Sequence, residues 1–208
     1  MTIKLSTLAI ALGLLFALPQ IYGLLKPSAF AAALRKFPRS ELWGFFLMGL
    51  GTAWFLWNLN NESISDFAAY KNLMLVGFGA VGVATCIFVR DFLAVRGLAV
   101  VLLLLGKLML DTARWHDSEW RLVIATLAYV WIIAGMWFTI SPWRLRDLIQ
   151  WVTANERRLR LISAVRLAFG VLLLLLGLTA FRTGEARAQG SDPAAPSSGF
   201  PAERPLAQ

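Results

Sequence analysis

Along the chain, apolar residues gather in six long runs separated by shorter polar stretches. The runs cover about residues 3–25, 42–59, 70–89, 92–110, 121–141 and 159–181. Each is close to the roughly 20 residues that an α-helix needs to cross the hydrocarbon of a bilayer. A helix also satisfies its backbone N–H and C=O groups internally, which lipid demands. The pattern therefore predicts an all-α, polytopic membrane bundle of about six spans, one domain over residues 1–181. Pro19 lies inside the first run and predicts a kink near one end of it. Only Arg90 and Asp91 separate the third run from the fourth, which predicts a tight helical hairpin. Beyond Phe181 the chain is rich in Pro, Ala, Gly and Ser and loses its apolar period. Residues 182–208 read as a disordered tail.

Two polar linkers carry a pattern of their own. Leu145, Leu148, Ile149 and Val152 fall at i, i+3, i+4 and i+7, the spacing of one helical face. Arg144 and Arg146 flank that stripe, with Asp147 and Gln150 on the opposite face. Phe30, Leu34 and Phe37 are spaced similarly, with Arg35 and Lys36 polar. Each stretch follows a proline, Pro142 or Pro27, a residue suited to a first helical turn. Both read as short basic amphipathic helices that lie in the headgroup plane and attract anionic lipid.

Composition agrees with a bilayer as solvent. Only 15% of the 208 residues are charged and 58% are apolar, whereas a soluble domain carries about 25% charged residues. The single cysteine, Cys86, rules out an intrachain disulfide and a CxxC-type metal site. The net charge of +8 would raise the question of nucleic acid in a soluble protein. Here the charges sort by loop, and no nucleic-acid partner is implied. The first loop holds Lys26, Arg35, Lys36 and Arg39; the third Arg90 and Asp91, with Arg96 just beyond; the fifth Arg144, Arg146, Arg157, Arg158 and Arg160. The second holds Glu62 and Asp66, and the fourth Asp111, Asp117 and Glu119 against Arg114. The positive-inside rule then places loops one, three and five in the cytoplasm and both termini outside. Tryptophans fit this orientation, with Trp43, Trp143 and Trp151 at the inner interface and Trp57, Trp115 and Trp120 at the outer one.

Residues 3–59 and 121–181 share one layout: an inward span, a proline with a basic amphipathic turn, and an outward span with small residues. Both copies have the same orientation, so the layout reads as a parallel repeat. The second copy, WIIAGMWFTISPWRLRDLIQWVTANERRLRLISAVRLAFGVLLLLLGL, resembles the YjeT-like family of small bacterial inner-membrane proteins. The matching residues are Pro142, Trp143, Leu159, Arg160 and Gly170. The family's proline before the Leu-Arg pair is missing from this copy, although Phe37-Pro38-Arg39 is similar to it in the first. The resemblance covers about sixty residues and implies a bacterial inner-membrane setting without an activity.

Candidate chemistry is sparse. Gly77-Phe78-Gly79-Ala80-Val81-Gly82 is formally G-x-G-x-x-G. A dinucleotide turn needs a preceding strand and an acid about 20 residues on. Here the glycines sit inside Leu73–Val89, an uncharged apolar stretch, with the next acids at Asp91 and Asp111. Helix packing explains them better. No nucleophile, general base or metal constellation converges, so the chain reads as non-enzymatic and without a cofactor. His116, the one histidine, stands beside Asp117, but one histidine makes a poor zinc site, and the stretch reads as a water-facing turn. Ala186-Arg187-Ala188 has the form of an A-x-A cleavage site. Three cations lie within runs: Arg96, Lys107 and Arg166. Arg96 and Arg166 are near enough to an end to snorkel, and Lys107 stands four residues before Asp111, the spacing of a helix ion pair. With Arg144 and Arg146 they are the candidate contacts for an anion or an anionic lipid headgroup.

The expected function is an accessory, assembly or scaffold subunit that contacts lipid and other membrane proteins, or a second copy of itself. The small-residue faces Ala9/Gly13/Ala17, Gly49/Ala53 and Ala80/Ala84 serve internal packing or partner contacts. The alternative is a small transporter or channel for an anion or a lipid headgroup.

Overall fold

A computed structural model describes residues 4–62, 70–114 and 118–183. His116, Asp117, Trp115, Asp66 and the Ala186–Ala188 stretch lie outside the described residues. The described chain is helical and holds no strand. Its elements are α1 (Leu5–Leu25), α2 (Pro27–Lys36), a 3₁₀ turn (Phe37–Arg39), α3 (Glu41–Asn61), α4 (Lys71–Phe88), α5 (Leu93–Ala113), α6 (Arg121–Ile140), α7 (Trp143–Thr153) and α8 (Glu156–Leu178). Six helices are long and apolar enough to cross a membrane: α1, α3, α4, α5, α6, and α8 with its continuation to Thr183.

Local chemistry fixes several ends. The Ser40 side chain accepts a hydrogen bond from the Trp43 amide at the start of α3, and Asn155 accepts one from the Arg157 amide at the start of α8. Glu41 and Glu156 follow in the first turns, where a negative charge meets the positive end of the helix dipole. Pro27 opens α2, where its missing N–H leaves no bond unmade. α1 runs through Pro19 without a break in the helix.

Helices pair through small residues. α1 lies antiparallel against α8, with Gly13 beside Gly170 and Ser6 beside Gly177. A Cβ on Gly170 would stand 2.9 Å from the Ala17 amide nitrogen and 2.9 Å from the Gly13 carbonyl oxygen. Backbone therefore meets backbone there, which only glycine permits. α3 packs on α5 where Gly97 meets the Leu47 and Met48 backbone, and α5 packs on α6 where Gly135 meets Leu103 and the Ala99 carbonyl. Gly82 closes α4 against Thr52 of α3. The result is a row α4–α3–α5–α6, with the α1–α8 pair joined to it through a core of Leu8, Ala9, Met109, Ile124, Ala128 and Leu173. A second core, at the other end, joins Val95, Ala99, Phe138 and Leu145.

The hairpin expected of the third and fourth runs is not a packed pair. α4 lies against α3, while α5 takes α3 and α6 as its main neighbours. Phe92 explains the divergence. Its φ of 55° is left-handed, rare for a bulky residue, and it redirects the chain before α5 begins.

Much of the outer surface is apolar: Leu42, Phe46, Leu73, Val76, Phe88, Ile133 and Val165 are all exposed. Trp43, Trp57, Trp120, Trp143 and Trp151 are exposed as well.

Candidate functional site

The connections between helices bring the basic linkers to one end of the bundle. α2 touches α7 and α8, and the 3₁₀ turn touches α5. Arg35 of α2 donates from Nε to Thr153 Oγ1 at 2.8 Å and from Nη2 to the Thr153 carbonyl oxygen at 2.7 Å. That carbonyl belongs to the last turn of α7, whose C=O groups lack intrahelical partners. Arg158 donates to the Trp151 carbonyl at 2.9 Å and stacks over the Trp151 ring, 4.3 Å from its centroid. Two arginines thus answer the negative end of α7. A cavity of about 240 Å³ lies beside Arg35, lined also by Ser28, Thr153, Glu156 and Leu159.

The sequence marks Arg35 as a loop charge and the polar side of a basic amphipathic helix and Arg158 as a loop charge, and gives no sign of Thr153 as the partner of Arg35. A threonine at a helix end with a basic residue far away in sequence gives no local signal. Of the stripe on α7, Leu145 is buried and Ile149 packs against the same core, but Leu148 is exposed.

The five candidate anion contacts are not gathered. Arg144 is exposed, and Arg146 pairs with its neighbour Asp147 at 2.9 Å. Arg166 is exposed on α8 with no hydrogen bond or ion pair among the described residues. Lys107 lies towards the opposite end, where Nζ bridges Asp111 at 2.9 Å and Glu62 at 3.2 Å. The helical pair with Asp111 was legible from its spacing; Glu62, just past α3, was not. Lys71 reinforces the same end by donating to the Asn60 and Glu62 carbonyls. Arg96 is half-buried and lines an open cavity of about 410 Å³ with Arg90 and Asp91. Arg96 and Arg166 share none of these cavities.

Gly77, Gly79 and Gly82 lie within α4 rather than at a strand-to-helix turn. Gly82 is buried on Thr52, Gly79 touches Leu56, and Gly77 faces open space. Among the described residues no three His, Cys, Asp or Glu side chains group as metal ligands.

The class defined by these observations is an all-helical chain with six helices long and apolar enough to cross a membrane and an arginine-rich end. No family model, characterised protein or solved structure matches it.

Proposed function

We propose that the chain is an accessory, assembly or scaffold subunit of a bacterial inner membrane, contacting lipid and other membrane proteins. The observation that carries this reading is the contrast between closed helix pairs and the bare α4. Where α1, α3, α5, α6 and α8 meet, glycines bring backbones together. α4 buries only Gly82 and leaves Leu73, Val76, Val81 and Val83 outward. A helix so little used by its own bundle has its surface free for lipid tails or a partner's span. In this reading the arginine-rich end is cytoplasmic, both termini are periplasmic, and α2 and α7 lie in the headgroup layer. The YjeT-like resemblance of the second half supports the same setting.

Native mass spectrometry of protein extracted in mild detergent tests the proposal. A stable stoichiometric partner or a second copy, with retained lipid and no flux in liposomes, is the expected result. Anion flux in liposomes without any partner favours the second reading, a small transporter or channel. That reading draws on Arg96, whose buried Nε has no hydrogen-bond partner among the described residues.

A further inference from the structure

Arginine carries five N–H donors and does not lose its charge in proteins. In a folded chain such donors are answered by protein, water or ligand. Arg35, Arg146 and Arg158 follow that rule. Arg96 does not: its Nε is buried and has no hydrogen-bond partner among the described residues.

The surroundings of Arg96 indicate what would answer it. The cavity beside it is walled by Arg90, Asp91 and the apolar Ile87, Phe88 and Val89. Asp91 is at hand, yet among the described residues the side chains of Arg90, Asp91 and Arg96 form no hydrogen bond or ion pair with one another. Two guanidinium groups against one carboxylate leave the lining net positive. α5 begins at the same place, immediately after the left-handed Phe92, and a helix start adds partial positive charge. Planar guanidinium forks match the oxygens of a phosphate.

We propose that the cavity at the α4–α5 turn binds a phosphate group, with Arg96 donating from inside and Arg90 closing from the exposed side. The apolar walls suit the first carbons of an acyl chain, so the favoured source is the headgroup of an anionic phospholipid. The proposal deepens the lipid-contact reading above and rests on it for that source; inorganic phosphate is the other source of the same chemistry.

Delipidated protein in non-ionic detergent is titrated with phosphatidylglycerol and, separately, with inorganic phosphate, and native mass spectrometry counts the bound species. The parent chain should retain one phosphatidylglycerol. Arg96→Gln and Arg90→Gln should each weaken that binding by about tenfold or more, the scale of one lost charge-assisted hydrogen bond. Arg96→Lys keeps the charge without the fork and should fall between. Arg182→Gln removes a charge at the opposite end and should change nothing. Arg90 is exposed at a turn, so its variant tests the site even where an Arg96 variant folds poorly. Phosphate binding without lipid binding, lost in the same variants, upholds the site and overturns the headgroup source. Equal lipid retention by every variant overturns the site and leaves the broader reading standing. A parent that retains neither probe overturns the site and its lipid source together.

Discussion

Arg35 and Thr153 are 118 residues apart in sequence and joined by two hydrogen bonds, one to the side chain and one to the carbonyl. The bond to the carbonyl caps α7, and the pair of bonds fastens α2 to it. Arg35→Ala should destabilise the protein in detergent by about 1–3 kcal/mol, the range for a lost charge-assisted bond. Arg35→Lys should recover only part of that, because an ammonium cannot present the two-pronged fork. A double-mutant cycle with Thr153→Ala should show strong coupling. Hydrogen exchange in α7 is the local readout and should accelerate.

Glycines that look alike in sequence should differ in what they tolerate. At Gly170 a Cβ would press on the backbone of α1, and at Gly97 it would lie 2.7 Å from the Met48 amide nitrogen. Gly170→Ala and Gly97→Ala should each cost about 1–3 kcal/mol, as overpacking does. Gly49 and Gly77 have nothing within 4 Å of a new Cβ. Gly49→Ala and Gly77→Ala should be neutral, or stabilising by up to about 1 kcal/mol through the better helix propensity of alanine. Thermal unfolding of the four variants in one detergent checks the split.

The proposed orientation makes a labelling pattern. In a background with Cys86 replaced, cysteines at Ser40 and Asn155 should resist a membrane-impermeant thiol reagent in intact cells. Cysteines at Ser63 and Ser118 should react. The reverse pattern would turn the bundle over and place the arginine-rich end outside.

Lys107 serves two carboxylates with one Nζ. Lys107→Met should therefore lower stability more than either Glu62→Gln or Asp111→Asn. All three side chains are about half exposed, so each single loss should stay within roughly 1 kcal/mol in detergent. Equal effects of the lysine and of either acid, measured by thermal unfolding, would remove the shared-cation account.

The six long apolar helices were legible because their signal is local: run length and the rise of a helix set them. Their ends were less so. α3 continues to Asn61 and α5 to Ala113, since a helix can extend past its apolar run when polar side chains there face outward. α8 begins earlier than its apolar run, at Glu156, because Asn155 caps it. Neighbour choice was not legible at all. The two-residue spacing of Arg90 and Asp91 predicted a packed hairpin, but Gly82 against Thr52 and the backbone turn at Phe92 decided the partner of α4 instead. Of the candidate site, Arg96 could be named from its place in an apolar run. Its buried Nε needed coordinates, because burial depends on which helices stand around it.

The pairing of α1 with α8 also has a consequence in time. A ribosome makes α1 before α8, and the contacts of Gly13 with Gly170 wait until the helices between them have been made. At about 5–20 residues per second that delay is roughly eight to thirty seconds. Throughout it, Gly13 has no α8 to close upon, and α3, α4, α5 and α6 must all be made before that mate arrives. Closure of the α1–α8 pair therefore comes late, after the α4–α3–α5–α6 row has been made. A nascent chain that stalls before α8 leaves the Gly13 face of α1 without its mate.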